Sequence, residues 1–344
     1  MIKRELIDRW KTVEGQQLLA KIIVVIIHNR SLEEVQGLEK YADRWDLRGA
    51  TLSIQKTERK IEGAGTSFTE RYGTLKLKNL VVESIDFSHA DISYSWWERC
   101  CVSNCLFEET KARELRVYAS HFLNCNFQKT NFTYSYLNQN IGKSSGSFKS
   151  VNFIECNLKE CIFSFPKIES CTFDTCNLVA TNFDGSRFRN CKFKGSVDSP
   201  WFSGSSKTAQ RSLFGFFNRV NPRNYPNPME NVDFSEAELT GVSFINGIDL
   251  SNCIFPDDTD RYILVKNLKK VYYRAREIIN KEWHGEEKRK GLGFIDVILY
   301  KPDRQNQEMD LIDKAFLTDD DRDSEFGDKF FTLIKQLNTP LSLE

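Results

Sequence analysis

The sequence lacks an excess of charge of either sign: 48 Lys and Arg stand against 48 Asp and Glu. That balance removes whole-molecule attraction to nucleic acid or to an anionic membrane. A long apolar run is missing too. Leu18 to Ile27 is the longest, and Lys21 interrupts it. Crossing a bilayer takes about 20 apolar residues, so this stretch is expected to be a buried helix. The N-terminus, MIKRELIDRW, is charged from residue 3 and has no apolar signal-peptide core. The expectation is a soluble, cytoplasmic chain with no membrane partner. Methionine is scarce, at 3 residues, and so is histidine, at 4. His89 falls at a corner of the repeat described below and His121 at an outward position. His284, in Glu282-Trp283-His284-Gly285-Glu286, matches no metal-site spacing and is expected at a helix C-terminus, where a cation is favoured. No P-loop, GxGxxG or CxxC motif occurs. These absences argue against an enzyme, and no cofactor or metal is expected.

Phenylalanine, by contrast, occurs 26 times, and its positions are periodic. Stepping by five gives Leu77, Val82, Phe87, Ile92, Trp97, Val102, Phe107, Ala112, Val117, Phe122, Phe127, Phe132 and Leu137. A second run holds Phe148, Phe153, Leu158, Phe163, Ile168, Phe173, Leu178, Phe183, Phe188 and Phe193, and a third Phe234, Leu239, Phe244, Leu250 and Phe255. All 28 centres are apolar in a chain that is 40% hydrophobic. The residue two before each centre is uncharged and mostly small, as at Ala90, Cys105, Thr110 and Ser120. The residue between is often Asn or Asp, as at Asp86, Asp91, Asn157 and Asn177.

A period of five suits neither a helix nor a long strand. It suits a chain that turns a corner every five residues. In a short strand alternate side chains share a face, so a centre and the residue two before it both point inward, and the next two residues turn the corner. Four corners close a square coil of about 20 residues, and coils stack at strand spacing, about 4.8 Å. Stacking predicts that Phe87, Phe107 and Phe127 share a column. It predicts a second column of Phe132, Phe153, Phe173 and Phe193, provided the 137–148 gap holds two repeats and one inserted residue. Stacked rings add about 0.5–1.5 kcal/mol per pair beyond area burial.

Ala90-Asp91-Ile92, Cys156-Asn157-Leu158, Cys176-Asn177-Leu178 and Thr181-Asn182-Phe183 resemble the A(D/N)Lxx motif of the pentapeptide-repeat family. The resemblance covers residues 75–193 and 232–255 and reappears at Asp46-Leu47-Arg48-Gly49-Ala50. It implies an all-β solenoid, a right-handed quadrilateral β-helix, spanning 46–255. Arg9-Trp10 through Glu14-Gly15, with Arg44-Trp45-Asp46-Leu47-Arg48-Gly49, is similar to a leader in some bacterial family members. The segment 1–45 is expected to be helical, with a capping box at Ser31-Leu32-Glu33-Glu34, and 53–74 to be loop or irregular coil. Residues 256–344 are expected to form a helical cap: one helix with Leu264, Leu268, Val271, Ala275 and Ile278 on a stripe, a second with Leu292, Ile295 and Leu299 closed by Pro302, and a third over 324–338.

Nine of the ten cysteines, all but Cys101, sit two residues before a centre. They are expected to be reduced core filler, as small buried side chains. Residues 194–230 interrupt the period and gather Trp201, Phe202, Arg211, Phe214, Phe216, Phe217, Arg219 and Tyr225. Aromatic and Arg side chains dominate binding hot spots, so this insertion is the expected partner contact on a non-catalytic protein-interaction scaffold. The expected partner is a protein, with a homodimer left open. Five basic residues against two acidic over 194–230 are too few to make nucleic acid the partner. The resemblance also implies an alternative, a DNA-mimicking modulator or protector of a type II topoisomerase such as DNA gyrase. Such mimicry needs an acidic rod, whereas 75–193 carries 14 basic and 12 acidic residues. Only 231–255 is one-sided, with Asp233, Glu236, Glu238 and Asp249.

Overall fold

The structure, a computed structural model, describes residues 2–53, 57–63, 66–72, 75–141, 144–205, 226–304, 306–318 and 324–338. Strands of two or three residues recur along the chain and pair in parallel with the strand one coil away, giving sheets of eight, six and six strands. A fourth side is held by single parallel bridges, from Thr51↔Asp91 to Asn157↔Asn177. The result is a four-sided solenoid of pentapeptide coils. Its sides are named here by the centres Trp97, Phe122, Phe127 and Phe132, in the order the chain visits them. Every centre read from the sequence is buried except Phe255, which is half-buried at the last turn. The bore is one continuous apolar core.

Three local devices explain why this sequence turns every five residues. At almost every corner from Asn79 to Gly195 the residue two after the centre is left-handed, with φ between +45° and +70°. That conformation costs a non-glycine residue about 1–2 kcal/mol and is held because the ladder continues on both sides. The Asn or Asp before a centre accepts the backbone N–H two residues on: Asp91 Oδ1 from Ser93 at 3.0 Å, Asn157 Oδ1 from Lys159 at 3.2 Å. This Asx turn fixes the bend. The small inward residue donates to the carbonyl of the centre one coil below, as Thr110 Oγ1 does to Phe87 at 2.8 Å, and Ser135 Oγ to Ala112 at 2.9 Å. Polar Ser and Thr are therefore satisfied inside an apolar bore.

The aromatic column is longer than the spacing predicts, and its members differ. Phe153 pairs with Phe127, not with Phe132. The 137–148 gap thus holds one repeat with six extra residues, in place of two repeats and one. Phe87, Phe107, Phe127, Phe153, Phe173, Phe193, Phe234 and Phe255 form one stack, with centroids 4.4–5.6 Å apart. The coil also continues through part of the 194–230 insertion. Val197, Phe202 and Met229 are further buried centres, and Trp201–Ser203 is a strand paired with Asn182–Phe183 and Ser243–Ile245. The excursion proper lies between Gly204 and Asn227.

Buried asparagines stitch the ladder where the chain leaves it. Asn138 Oδ1 accepts the Ser120 N–H at 2.9 Å, and Asn138 is fully buried. Gly146 is required opposite it, because a Cβ there would lie 2.1 Å from Asn138 Oδ1. At the second excursion Asn227 repeats the device, accepting the N–H of Phe188 at 3.1 Å and of Met229 at 3.2 Å. Each amide stands where a backbone carbonyl is missing. The third excursion, expected to be irregular, is an antiparallel hairpin of Thr57–Gly63 with Thr66–Tyr72.

Both open ends of the bore are covered, as a solenoid requires. At the N-terminus α1 (Lys3–Asp8) leads through a 3-10 turn into α2 (Val13–Ile27), which lays Ile22, Ile23, Val25 and Ile26 on the first coil. Ser31 caps only a short 3-10 turn, Leu32–Glu34. The leader residues lock this cap. Arg9 chelates Asp46 at 2.7 and 2.9 Å, Trp10 Nε1 donates to the Arg48 carbonyl at 2.7 Å, and Arg48 stacks on Tyr41 at 3.5 Å. The two guanidinium groups hold the Asp46 carboxyl far below the usual carboxylate range against the opposing effect of burial.

The C-terminal region is not purely helical. Tyr262–Lys266 and Met309–Asp313 form an antiparallel ribbon, so Leu264 belongs to a strand rather than to a helix. Tyr262, Leu264, Met309 and Leu311 face the end of the bore, while Ile263, Val265 and Ile312 join a second core. That core is completed by α3 (Leu268–Glu282), α4 (Gly285–Tyr300), α5 (Lys314–Thr318) and α6 (Ser324–Asn338). The Tyr262 hydroxyl clamps ribbon to coil, donating to the Leu239 carbonyl at 3.1 Å and accepting its N–H at 3.0 Å. His284 stands at the junction of two helices, directly after the C-cap Trp283 of α3 and at the N-cap of α4.

Two outcomes are expected. Phe127→Asp will not fold, because it breaks the stack and buries an unpaired charge; circular dichroism will report it, and near-wild-type thermal stability would contradict the packing. Asn138→Ala will fold but lose about 1–3 kcal/mol in chemical denaturation, the cost of an unsatisfied buried N–H.

Candidate binding surface

In a coil of this kind each outward side chain stacks on the one 20 or so residues away, so a surface is built column by column. On the Trp97 side the column before the centre reads Lys76, Trp96, Arg116, Tyr136, Ile162, Asn182, Trp201 and Ser243. The column after it begins Lys78, Glu98 and Tyr118. Trp96 and Tyr118 stack with centroids 4.4 Å apart, and Trp96 Nε1 donates to Glu98 at 3.4 Å. Tyr94 and Tyr134 occupy the left-handed corner leading onto this side. Tyr134 and Tyr136 are 42% and 39% exposed.

The asymmetry is complete among the described coil residues 75–255. Every aromatic that is not a centre lies on the Trp97 side or at its corners: Tyr94, Trp96, Tyr118, Tyr134, Tyr136, Phe165 and Trp201. Glu98 is engaged by Lys78 at 3.2 Å and Arg99 at 3.1 Å, whereas Lys76 and Arg116 make no ion pair among the described residues. All three excursions also leave from the edges of this side. The hairpin 57–72 follows Leu52 and precedes Leu77; the other two follow Leu137 and Phe202, the centres of this side.

The sequence-predicted contact residues separate. Trp201 is 42% exposed on this surface, but Phe202 is fully buried, stacked between Phe183 and Phe244, and is unavailable to a partner. Strand alternation puts neighbours on opposite faces, so the pair could not both point out. Arg211, Phe214, Phe216, Phe217, Arg219 and Tyr225 lie outside the described residues. Trp96, Tyr118 and Tyr136 were not singled out from sequence. Reading the positions before and after each centre in steps of a coil finds them.

The thiols are chemically quiet. Burial pushes Cys100 up to about 11 and Cys161 up to about 12. Inward cysteines donate weakly to carbonyls of the coil below, as Cys156 does to Phe127 at 3.2 Å. All ten are free; Cys101 is exposed and Cys253 half-buried. The histidines stand apart: His121 Nδ1 is 2.9 Å from Ser147 Oγ, and His89 lies 3.5 Å from Glu109. Native alkylation at neutral pH should modify Cys101 rapidly, Cys253 slowly and the other eight only after unfolding, because buried thiols are inert. Intact-mass measurement checks this, and a native disulfide between coil cysteines would contradict it.

A family model for pentapeptide repeats matches residues 156–195, with eight copies. No curated protein matches the sequence. Solved structures similar to the chain include QnrB1, a plasmid-mediated fluoroquinolone resistance protein, at 12% identity over 49% of this chain and 82% of that one, TM-score 0.28. HetL, a pentapeptide repeat protein involved in heterocyst differentiation regulation in Nostoc sp. strain PCC 7120, is 11% identical over 61% and 91%, TM-score 0.29. Rfr23 from Cyanothece 51142 is 14% identical over 42% and 86%, TM-score 0.23.

Proposed function

We propose that this chain, a pentapeptide-repeat protein, is a non-catalytic scaffold that binds a protein partner across the Trp97 side of its coil. The observation that carries this is the confinement of all outward coil aromatics to one side of four, with every excursion of the chain rising from its edges. Tyr, Trp and Arg are the residues that dominate interface hot spots, and loops around a rigid platform are where recognition concentrates. Lys76 and Arg116, which make no ion pair among the described residues, stand beside the rings and favour an acidic, aromatic-tolerant surface on the partner.

The charge pattern counts against DNA mimicry. Of the acidic residues in 231–255, Asp233 is neutralised by Lys192 at 3.3 Å, Glu236 by Lys194 at 3.1 Å and Glu238 by Arg261 at 2.7 Å. Little is left of an acidic face. Single-stranded nucleic acid is disfavoured because Trp96 and Tyr118 stack on each other and do not offer two free faces to bases. Among the described residues no helix is long and apolar enough to cross a membrane.

The test is affinity enrichment from the native host with quantitative mass spectrometry. Wild type, a Trp96→Ala/Tyr136→Ala variant and a chain lacking 206–225 are compared. The double variant should keep its melting temperature and lose the captured protein by about 30-fold or more, the scale of a hot spot. If it retains the partner while the deletion loses it, the contact lies in the insertion. If gyrase is the protein captured, or supercoiling assays respond to the chain, the DNA-mimic alternative replaces this one.

A further inference from the structure

A cleft of about 390 Å³ opens between the last two coils and the C-terminal domain. One wall is Trp201, Val242 and Ile245 from the coil; the other is α4 and α5 with Val297 and Phe316. Trp201, Val297 and Phe316 are each more than 40% exposed, so an apolar surface faces solvent from both walls. The volume is that of a small-molecule site.

The polar groups of the wall are unbalanced. Arg304 pairs with the buried Asp310, which also accepts the Leu311 N–H at 3.0 Å, and that pair is satisfied. Asp313 is different. Its side chain is 90% buried, and its Oδ1 takes the Arg261 guanidinium at 3.2 Å and the Ala315 N–H at 3.0 Å. Its Oδ2 is buried with no hydrogen-bond partner. Arg261 is also shared with Glu238, one cation against two carboxylates. Asp303 lines the same cleft, makes no ion pair among the described residues, and keeps its Oδ1 buried without a partner. Two carboxylate oxygens without donors are costly in a protein interior. Lys301 also lines the cleft and makes no ion pair among the described residues, yet neither oxygen receives its ammonium.

We propose that this cleft binds a small amphipathic organic cation, an ammonium, amidinium or guanidinium group on an apolar body. The body fills the space between Trp201, Val297 and Phe316, and the cation pairs with Asp303, whose half-buried carboxylate makes no ion pair among the described residues. The cleft shares Trp201 with that flank but lies at its far end, away from Trp96 and Tyr136, and its occupancy is tested without the protein partner.

Isothermal titration of the full chain tests it with three probes of one shape: 4-phenylbutylamine, 4-phenylbutanol and 4-phenylbutyrate. The amine should bind saturably at one site, with the alcohol weaker by about tenfold or more and the carboxylate weaker still, since a hydrogen bond to a charged group is worth that factor. Asp303→Asn should bring the amine down towards the alcohol and leave the alcohol unchanged. Ile245→Trp, which fills the cleft from the coil side, should weaken all three. Equal affinity for amine and alcohol, preference for the carboxylate, or no saturable amine binding up to about 10 mM would each overturn the proposal. So would an Asp303→Asn protein that binds the amine as wild type does. Should that variant fail to fold, the probe series on the wild type and Ile245→Trp still decides.

Discussion

Phe153 lies on Phe127 and beneath Phe173, at ring separations of 5.2 and 4.8 Å. For rings to meet at that distance the strands carrying them must be adjacent and in register. The register then dictates where each corner falls, which residue is left-handed, and which hydroxyl reaches which carbonyl. Corners that would be unfavourable alone are tolerated because each is pinned on two sides by a stack that cannot shift without losing its contacts. The same constraint makes the ends of the bore the weak points, and both receive dedicated covers: a helix at one end, a ribbon at the other. The Arg9–Asp46–Arg48 cluster at the first coil fastens the cover to the stack itself.

The coil was legible because its period is written in apolar residues that have no other reason to recur every five positions. Its interruptions were not. Phenylalanine occurs at both 127 and 132, so a column can be threaded to Phe153 from either, and only backbone pairing decides between them. Nothing in the sequence marks Asn138 or Asn227 as substitutes for a missing carbonyl; they look like ordinary polar loop residues. At the C-terminus Leu264 fits a helical stripe as well as a strand, because five residues are too few for the two periods to diverge. The candidate surface was half legible. Trp201 is exposed, but strand alternation sends its neighbour Phe202, with which the sequence groups it, inward. The Trp96–Tyr118–Tyr136 cluster is spread over 40 residues of sequence and becomes contiguous only when coils are superposed.

A rigid bore and a decorated flank divide the labour of the molecule. Among the described residues the other three sides carry aliphatic, polar and charged residues in mixed columns, with local ion pairs. The fourth carries the outward rings and, at its far end, the cleft against the C-terminal domain. The excursions leave at its two edges, and the stack beneath runs on past each of them.

Tyr136 and Trp201 stand in the same outward column, separated by the strands Ile162–Phe163 and Asn182–Phe183. Their separation is therefore a whole number of coils. It cannot be tuned continuously by side-chain changes or by loop length; it can only jump by one rung, about 4.8 Å, when a full turn is gained or lost. The molecule is in this sense a digital ruler. A partner that touches both marks is matched to one integer, and a lineage that duplicated a single turn would have to find a different partner or abandon one of the two contacts.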